Sequence, residues 1–255
     1  MQTGAHRGAI MVLLLLLVTA EIIWSWRNDK KAYGLKDTFS NLAILAGFQA
    51  SKYLFAGYQL AVLGFVSRFA LSRLPENPLI FISCFILADF TYYWFHRASH
   101  IWKPLWAFHL IHHSSPYINL STAYRLNWLN AIISPLFFVP LALIGFSPAF
   151  IIGAYALNLV YQFFMHTEAV GKLGKLEGVI DTPSAHRVHH GSNPVYIDKN
   201  FGGVLMIWDR IFNTYQPETE KPQYGITAGF ISNNPFVLVF KGFKDLFTGR
   251  MKYKG

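Results

Sequence analysis

Histidines are concentrated in four short groups, and this pattern constrains the fold more than any other feature of the chain. The groups are HRxxH, HxxHH, a single histidine and a second HxxHH; their members are His96, His100, His109, His112, His113, His166, His186, His189 and His190. Neutral imidazole is the commonest metal ligand among side chains, and residues three or four apart share a helix face. The spacing therefore predicts that each group aims its imidazoles at one point, and that four separate parts of the chain meet at a metal site.

The number of histidines indicates more than one metal ion. A structural zinc site uses about four protein ligands and a catalytic one about three, so nine imidazoles would serve two ions with about four or five nitrogens each. Imidazole alone does not choose the metal, because it suits zinc, copper, iron and nickel. The sequence has no HExxH, so a zinc protease would lack its glutamate base, and no CxxCH for covalent haem.

The composition is that of a membrane protein. Of the 255 residues, 53% are hydrophobic and 14% are charged, whereas soluble domains carry about 25% charged residues. The basic residues behind the net charge of +9 are scattered around apolar segments, which is typical of charges that flank membrane spans. No nucleic-acid partner is expected. The single cysteine, Cys84, excludes an intramolecular disulfide and a cysteine-rich metal site.

The apolar segments predict an all-α integral membrane protein with about four to five transmembrane helices, since about 20 residues cross the hydrocarbon core. The clearest segments are 8–26, 78–95, 129–145 and 148–165. The first could instead be a signal peptide, but its apolar run continues past a weak cleavage-like site to Trp24 and Trp26, which favours a retained anchor. Segment 38–72, interrupted by Lys52, predicts either an amphipathic segment before a span near 54–72 or a re-entrant hairpin.

Segments 129–145 and 148–165 are joined by Gly145-Phe146-Ser147-Pro148, which predicts a tight connection and a transmembrane hairpin. Two spans return the chain to the face it left. The first two histidine groups precede the hairpin and the other two follow it, so all nine histidines are expected in a helical cap at one membrane face. Basic flanks indicate the cytoplasmic face; they are Arg97, Lys103, Arg125, Lys172 and Lys175.

Local signals predict how each group is presented. The 78–95 helix is expected to continue through His100, and the second group is expected on a short helix of its own. Thr182 is a candidate N-cap, with Pro183 in the first turn and Gly191 at the end, so the last group is expected on a short bounded helix.

Some span residues have two explanations each. Asp89 lies two turns before His96, and it would either orient an imidazole or make a structural hydrogen bond. Aromatic residues of the later spans would line an apolar channel or simply pack and face lipid; these are Phe137, Phe138, Tyr155, Tyr161, Phe163 and Phe164.

The order and flanks of the histidine groups resemble the fatty acid hydroxylase/sterol desaturase superfamily of integral-membrane di-iron enzymes. The similar stretches are ADFTYYWFHR at 88–97, WAFH at 106–109, NLSTA at 119–123 with Arg125, TPSAHRVHH at 182–190, NFG at 200–202 and WDRIF at 208–212. The resemblance covers about residues 80–216. One departure is Asn213, where relatives often have glycine, and it is expected to affect only a turn.

This resemblance implies two iron ions held by the nine histidines, with O2 as oxidant. It also implies electrons from a separate donor, such as cytochrome b5 or a ferredoxin. Asn200, in the Asn-x-Gly stretch, is a candidate for supporting a ligand histidine. The expected organisation is N-terminal membrane segments at 1–75, a catalytic region at 76–216 that includes the hairpin at 129–165, and a basic C-terminal tail at 217–255.

The leading functional hypothesis is hydroxylation of an unactivated C–H bond in a lipid or sterol-like substrate. Such a bond has no acidic proton, so its oxidation depends on a cofactor. A desaturase and an ether-lipid monooxygenase with the same di-iron centre are the alternatives. From other classes, a metal-binding or transporting membrane protein would need polar ligands through the membrane depth, and a zinc-dependent membrane hydrolase would leave ligands in excess.

Overall fold

The computed structural model describes residues 2–229 and 231–251, and the side chains of all of these except residues 2–11 and 56. The ends of the expected ranges 1–75 and 217–255 therefore lie outside the described residues. The helices are α1 (Gln2–Arg27), α2 (Leu35–Val66), α3 (Pro78–Ile101), α4 (Lys103–His109), α5 (Asn130–Phe137), α6 (Val139–Ile144), α7 (Pro148–Met165), α8 (Pro183–His190), α9 (Ile207–Ile211) and α10 (Pro235–Phe247). Short 3-10 turns and three isolated β-bridges complete the described chain, which is all-α as expected.

Five helices pack into a bundle on one side of the histidines. Helix α3 lies along α7, and α2 packs against α5 and α6. The core between them contains Leu63, Cys84, Ala88, Phe138, Leu141, Ala142, Phe146, Ile151 and Ala154. Helices α3 and α7 are long and apolar enough to cross a membrane, and the larger number of about four to five spans stays a prediction.

Helix α2 is one continuous helix of 32 residues, not a hairpin. Gly47, in the middle of this helix, is a contact point, because a Cβ there would lie 2.3 Å from the Trp128 ring. The Ser51 hydroxyl, one turn further, donates to the Trp128 carbonyl oxygen. A helix interior tolerates a glycine at a cost of about 1 kcal/mol, and the Trp128 contact offsets it. The expectation of a re-entrant hairpin over 38–72 is therefore wrong.

The expected helical hairpin is present, with its first arm broken into α5 and α6, and its crossing of a membrane stays a prediction. Pro140 has no N–H to bond one turn back, and its ring crowds that carbonyl, so the helix is interrupted at Phe138. Gly145 then turns the chain with φ +119°, a conformation in which a side chain would be strained. Its carbonyl accepts from the Leu74 N–H at 3.1 Å, which joins this turn to the segment before α3. Consequently α3 and α7 start at one end of the bundle and run to the same far end.

The N-terminal helix and the tail both pack onto this body. Val18 of α1 contacts Tyr124 and Phe163 in a small apolar cluster. The tail is more than a basic extension, because α10 folds against α4 and buries Leu238 and Val239 beside Ile44 and Ile111.

Candidate metal centre

All nine predicted histidines lie together at the far end of the bundle, in two adjacent groups. The five-histidine group contains His96, His100, His109, His113 and His189, and the four-histidine group contains His112, His166, His186 and His190. Within each group the candidate ligand nitrogens lie within 4.8 Å of one another. The groups touch, since the rings of His113 and His190 stack with centroids 4.5 Å apart. The lone His166, at the C-terminal end of α7, belongs to the four-histidine group and is buried.

Each HxxHH motif contributes histidines to both groups, whereas the spacing predicted that all the histidines of one motif would face a single point. In the second motif, His109 and His113 join the five-histidine group and His112 joins the other. In the last motif, the partition is reversed, because His186 and His190 join the four-histidine group while His189 crosses over. Positions i and i+4 therefore stay together and i+3 points to the neighbouring group. The two groups are held at a fixed separation by two short segments of chain.

The first two motifs meet at the ends of helices α3 and α4. As expected, α3 continues past His100, so that both its histidines face the centre. Helix α4 ends at His109, however, and His112 and His113 lie in the turns that follow rather than on a helix. The Nε2 atom of His109 lies 3.1 Å from that of His96 and 3.0 Å from that of His113.

Helix α8 presents the last motif, and its predicted boundaries are confirmed. The Thr182 hydroxyl accepts from the Ala185 N–H at 3.1 Å, and Pro183 occupies the first turn. Gly191 ends the helix for a different reason from the one expected, since its φ of −62° is not left-handed. A Cβ at Gly191 would lie 2.7 Å from the Tyr196 ring, so the glycine permits close packing.

The outer nitrogens of four histidines hydrogen-bond to fixed oxygens. The Nδ1 atoms of His96, His189 and His166 donate to backbone carbonyls of Phe201, Lys199 and Gln162 at 2.9, 3.1 and 2.8 Å. His186 Nδ1 lies 2.9 Å from the Asp181 carboxylate. A carbonyl only accepts, so Nδ1 carries the proton and Nε2 keeps its lone pair toward the centre. This is how proteins orient imidazoles that bind metals.

Burial favours the neutral form of His112 and His166. It lowers the pKa of His112 and of His166 well below the ordinary value, and neighbouring histidines lower both further. Asp181 shows the opposite effect, because burial, followed by repulsion from Asp209 and other carboxylates, raises the pKa of its carboxyl group well above normal. Neutral imidazole is the form that ligates a metal.

The nitrogen separations fit bound cations. His166 Nε2 lies 3.1 Å from His186 Nε2 and 3.3 Å from His112 Nε2. Because His166 Nδ1 donates to a backbone carbonyl, its Nε2 presents a lone pair to these two imidazoles, as a metal ligand does. Two nitrogens bound about 2.1 Å from one ion are about 3.0 to 3.4 Å apart for right-angle to tetrahedral geometry. The donor set therefore suits one ion in each group.

The loop that supplies two of the carbonyl partners, residues 199–206, is anchored by Asp209 of helix α9, a carboxylate that the sequence analysis missed. Asp209 is fully buried and accepts from the backbone N–H groups of Phe201 and Gly202, both at 2.7 Å, and from the Thr214 hydroxyl at 2.6 Å. Asn200 adds bonds to the Ala185 carbonyl on α8 and to Gln216. Asn200 thus lies between the carbonyls that hold His189 and His96, and its own side chain fixes the loop.

Asp89 is also bonded to this loop. Its carboxylate accepts from the N–H groups of Val204 and Leu205, from the Trp208 indole, and from Asn158 on α7, at 2.6 to 3.1 Å. These four bonds match the structural alternative considered for Asp89, and any influence on His96 passes through the loop rather than through a direct bond. The carboxylates that do lie next to imidazoles are Asp181, just before the N-cap of α8, and Asp198, whose Oδ1 is 3.4 Å from His100 Nδ1.

We expect Asp209→Asn to weaken metal retention by the five-histidine group about 10- to 100-fold, the range typical when support of a ligand is lost. The Asp209 carboxylate uses both of its oxygens to accept from two backbone N–H groups and a hydroxyl. Asparagine has one oxygen, so its N–H₂ group would face a backbone N–H and the Phe201 carbonyl would shift. Chelator competition on the purified protein measures the change. Asp245→Asn, which removes an ion-pair partner of Lys241 on α10, is the matched control, and equal retention in both variants would contradict the loop's role.

An apolar cavity of about 260 Å³ reaches the centre from the bundle. Its wall includes His96, His109, His112 and His166. Of the aromatic residues considered for a channel, Tyr155 and Phe163 line this cavity. Phe138 is buried against Tyr155, Phe137 packs on Phe95, the Tyr161 hydroxyl donates to the Asp181 carbonyl, and Phe164 is exposed.

Two helices able to cross a membrane and nine converging histidines are the features of a membrane-associated protein with a candidate metal centre. Residues 81–214, just over half of the chain, match the fatty acid hydroxylase family. The chain belongs to this family, as its motifs indicated.

Curated relatives are named for lipid oxidation. The chain is 39% identical to the human alkylglycerol monooxygenase over 91% of its own length and 53% of the relative's. It is 36% identical to that of Xenopus tropicalis, with 91% and 52% covered, and 24% identical to the ornithine lipid hydroxylase OlsE of Rhizobium tropici, with 96% and 77% covered. The chain thus spans about half the length of the alkylglycerol monooxygenases it matches. No solved structure matches the chain.

Proposed function

We propose that this chain is a membrane-bound monooxygenase that uses O2 and external electrons to oxidise an unactivated C–H bond of a lipid. The observation that carries the proposal is the placement of two adjacent histidine groups at the end of an apolar cavity. Nine imidazoles exceed the needs of one zinc ion, and the gathering of all nine at one end of the bundle disfavours a transport path through the membrane.

In this proposal the five-histidine and four-histidine groups each hold one iron ion. When bound, the irons supply the redox chemistry that activates O2 toward a C–H bond. The chain's own residues hold the imidazoles in one tautomer through Phe201, Lys199, Gln162 and Asp181. The cavity wall excludes water and places a lipid chain beside His96, His109, His112 and His166.

The relatives favour an ether lipid as substrate. Oxidation of the alkyl carbon next to the ether oxygen converts its C–H bond to C–OH with one atom of O2, while the other atom leaves as water with two electrons from the donor and two protons. The product is a hemiacetal, which breaks into an aldehyde and an alcohol. An alkylglycerol would thus yield a fatty aldehyde and glycerol. Hydroxylation of a lipid without an ether bond is the second candidate, supported by the likeness to the ornithine lipid hydroxylase. Desaturation would leave an alkene and no oxygen in the lipid.

We also place the histidine end at the cytoplasmic face. Lys103, Lys172 and Lys175 are exposed near this end, consistent with the excess of basic residues on that side of membranes. A separate electron donor, such as cytochrome b5 or a ferredoxin, would reach the centre there. Turnover by the purified protein with NADPH alone would contradict the need for a donor.

Two measurements on the purified protein test the proposal. Metal analysis is expected to give about two irons per chain, as a two-metal site requires. Incubation of reconstituted protein with alkylglycerol, a donor system and ¹⁸O₂ is expected to release fatty aldehyde, with label traced by immediate trapping. One zinc per chain and no labelled product would instead indicate a hydrolase.

A further inference from the structure

Helix α1 carries a single acidic residue, Glu21, whose side chain is buried. Its carboxylate accepts from the Leu120 N–H at 2.8 Å, from the Tyr33 hydroxyl and from the Thr167 hydroxyl. A buried carboxylate is costly unless hydrogen bonds of this kind compensate for the loss of water. The three partners come from three separate parts of the chain, so Glu21 connects α1 to the rest of the protein at a defined point.

The bond to Thr167 connects Glu21 to the four-histidine group. Thr167 directly follows His166, which belongs to that group. Its hydroxyl donates to Glu21, and its carbonyl accepts from the Arg187 guanidinium at 3.0 Å. Arg187 directly follows His186 on α8, the helix that presents two further members of the group. The residue next to His166 is therefore bonded to α1 and to α8.

The bond to Leu120 leads to the segment that carries the second HxxHH motif. Leu120 begins the 3-10 turn that ends just before Arg125. The Arg125 guanidinium donates to the Ser114 hydroxyl at 2.7 Å, and Ser114 lies two residues after His112. Through Leu120, Glu21 is thus connected to the segment of His112, another member of the four-histidine group.

We propose that Glu21 is a positioning residue of the candidate metal centre, which sets the separation of His112 and His166. Their Nε2 atoms are 3.3 Å apart, although the two residues are 54 positions apart in sequence. One oxygen of Glu21 accepts from Thr167 and the other from Leu120, so one carboxylate bridges both segments. Ligands must be placed to within about 0.5 Å for a functional site. The inference rests on the two-ion centre of the proposed function and adds α1 to it.

Anaerobic titration of the purified, metal-free protein with Fe²⁺ tests this role. Glu21→Leu keeps a side chain of similar size but removes both acceptor oxygens. We expect the affinity for one of the two ions to fall about tenfold, as when the support of a ligand is lost, and the affinity for the other to stay unchanged. Glu76→Leu replaces an exposed glutamate before α3, and as the matched control it should change neither affinity.

A second background identifies the affected ion. His112→Ala removes a ligand of the four-histidine group, so the ion that stays bound is expected in the other group. Adding Glu21→Leu to His112→Ala should not weaken that remaining ion. General loosening of the protein would instead weaken both ions in Glu21→Leu and would weaken the remaining ion in the double variant, and either result would overturn the assignment.

Thr167 provides a test that leaves the other bonds of Glu21 in place. Thr167→Val removes only the hydroxyl next to His166 and should weaken the same ion as Glu21→Leu, whereas Thr167→Ser keeps a hydroxyl and should bind as the wild-type protein does. Equal affinities in Thr167→Val and Thr167→Ser would contradict the role of Glu21, even if Glu21→Leu failed to fold. Binding of only one ion by the wild-type protein would refute the two-iron proposal, whereas binding of two ions that is insensitive to Glu21 would refute only its positioning role.

Discussion

Replacing His112 with alanine is expected to reduce the metal content from about two ions per chain to about one and to lower oxidation by at least a hundredfold. The four-histidine group would keep three imidazoles, and the cation between His112 and His166, whose Nε2 atoms are 3.3 Å apart, would lose a ligand. His189→Ala removes one of five donors from the other group and also a bond to the Lys199 carbonyl. We expect it to abolish oxidation too, with a smaller loss of metal.

Metal analysis by mass spectrometry and the oxidation assay, both on protein that inserts normally, measure these effects. His6→Ala is the matched control, because His6 is the one histidine outside the four sequence groups, and it should retain both metal and activity. Full metal occupancy in His112→Ala and in His189→Ala would refute the assignment of these residues as ligands.

The membership of the centre could be predicted from sequence, but its internal arrangement could not. Helical periodicity indicated that spaced histidines share a face, and all nine do converge. The division of each HxxHH motif between two groups depends on how α4, α7 and α8 approach one another. That approach depends on contacts between different segments, such as the bond from the Tyr161 hydroxyl of α7 to the Asp181 carbonyl just before α8.

The partners of the imidazoles were the least predictable part. Three of the four described partners are backbone carbonyls, and every residue has a carbonyl, so no residue type marks them. Asp181 lies beside the N-cap Thr182, and an acidic residue at this position is fully accounted for by the start of a helix. Its sequence position therefore does not indicate a bond to an imidazole. Asp209 lies in the WDRIF stretch and was noticed only as part of a resemblance.

The interpretation of Arg125 as a surface charge at the membrane flank was wrong, and the reason is physical. Its side chain is 1% exposed and lies inside a polar network. The guanidinium donates to Asp37, to the Asn41 side-chain oxygen at 2.6 Å and to the Ser114 hydroxyl at 2.7 Å. A count of basic residues cannot separate such a buried ion pair from a solvated flank, because the partner is 88 positions away.

This network leads to the largest expected effect on stability. Asp37→Asn should lower the free energy of unfolding by about 3–5 kcal/mol, the cost of leaving a buried charge without its partner. The Asp37 carboxylate also accepts from the Ser115 hydroxyl at 3.0 Å, and Arg125 donates to Ser114. These two serines directly follow His113. Loss of the pair would therefore loosen the turns that present His112 and His113, and metal should be retained less tightly. Denaturation of the protein in mixed micelles measures the stability.

Two further variants separate the ion pair from a general effect of the substitution. Asp29→Asn changes an exposed aspartate and should alter stability by no more than about 0.5 kcal/mol. Asp37→Asn combined with Arg125→Met removes both charges, and it should be more stable than Asp37→Asn alone, because no uncompensated charge stays buried. If the double variant were less stable than the single one, the hydrogen bonds of Arg125 to Asn41 and Ser114, rather than its charge, would be the main contribution of this residue. The ion pair between Asp37 and Arg125 would then result from the packing of α2 against the segments that carry the histidines, and it would not determine that packing.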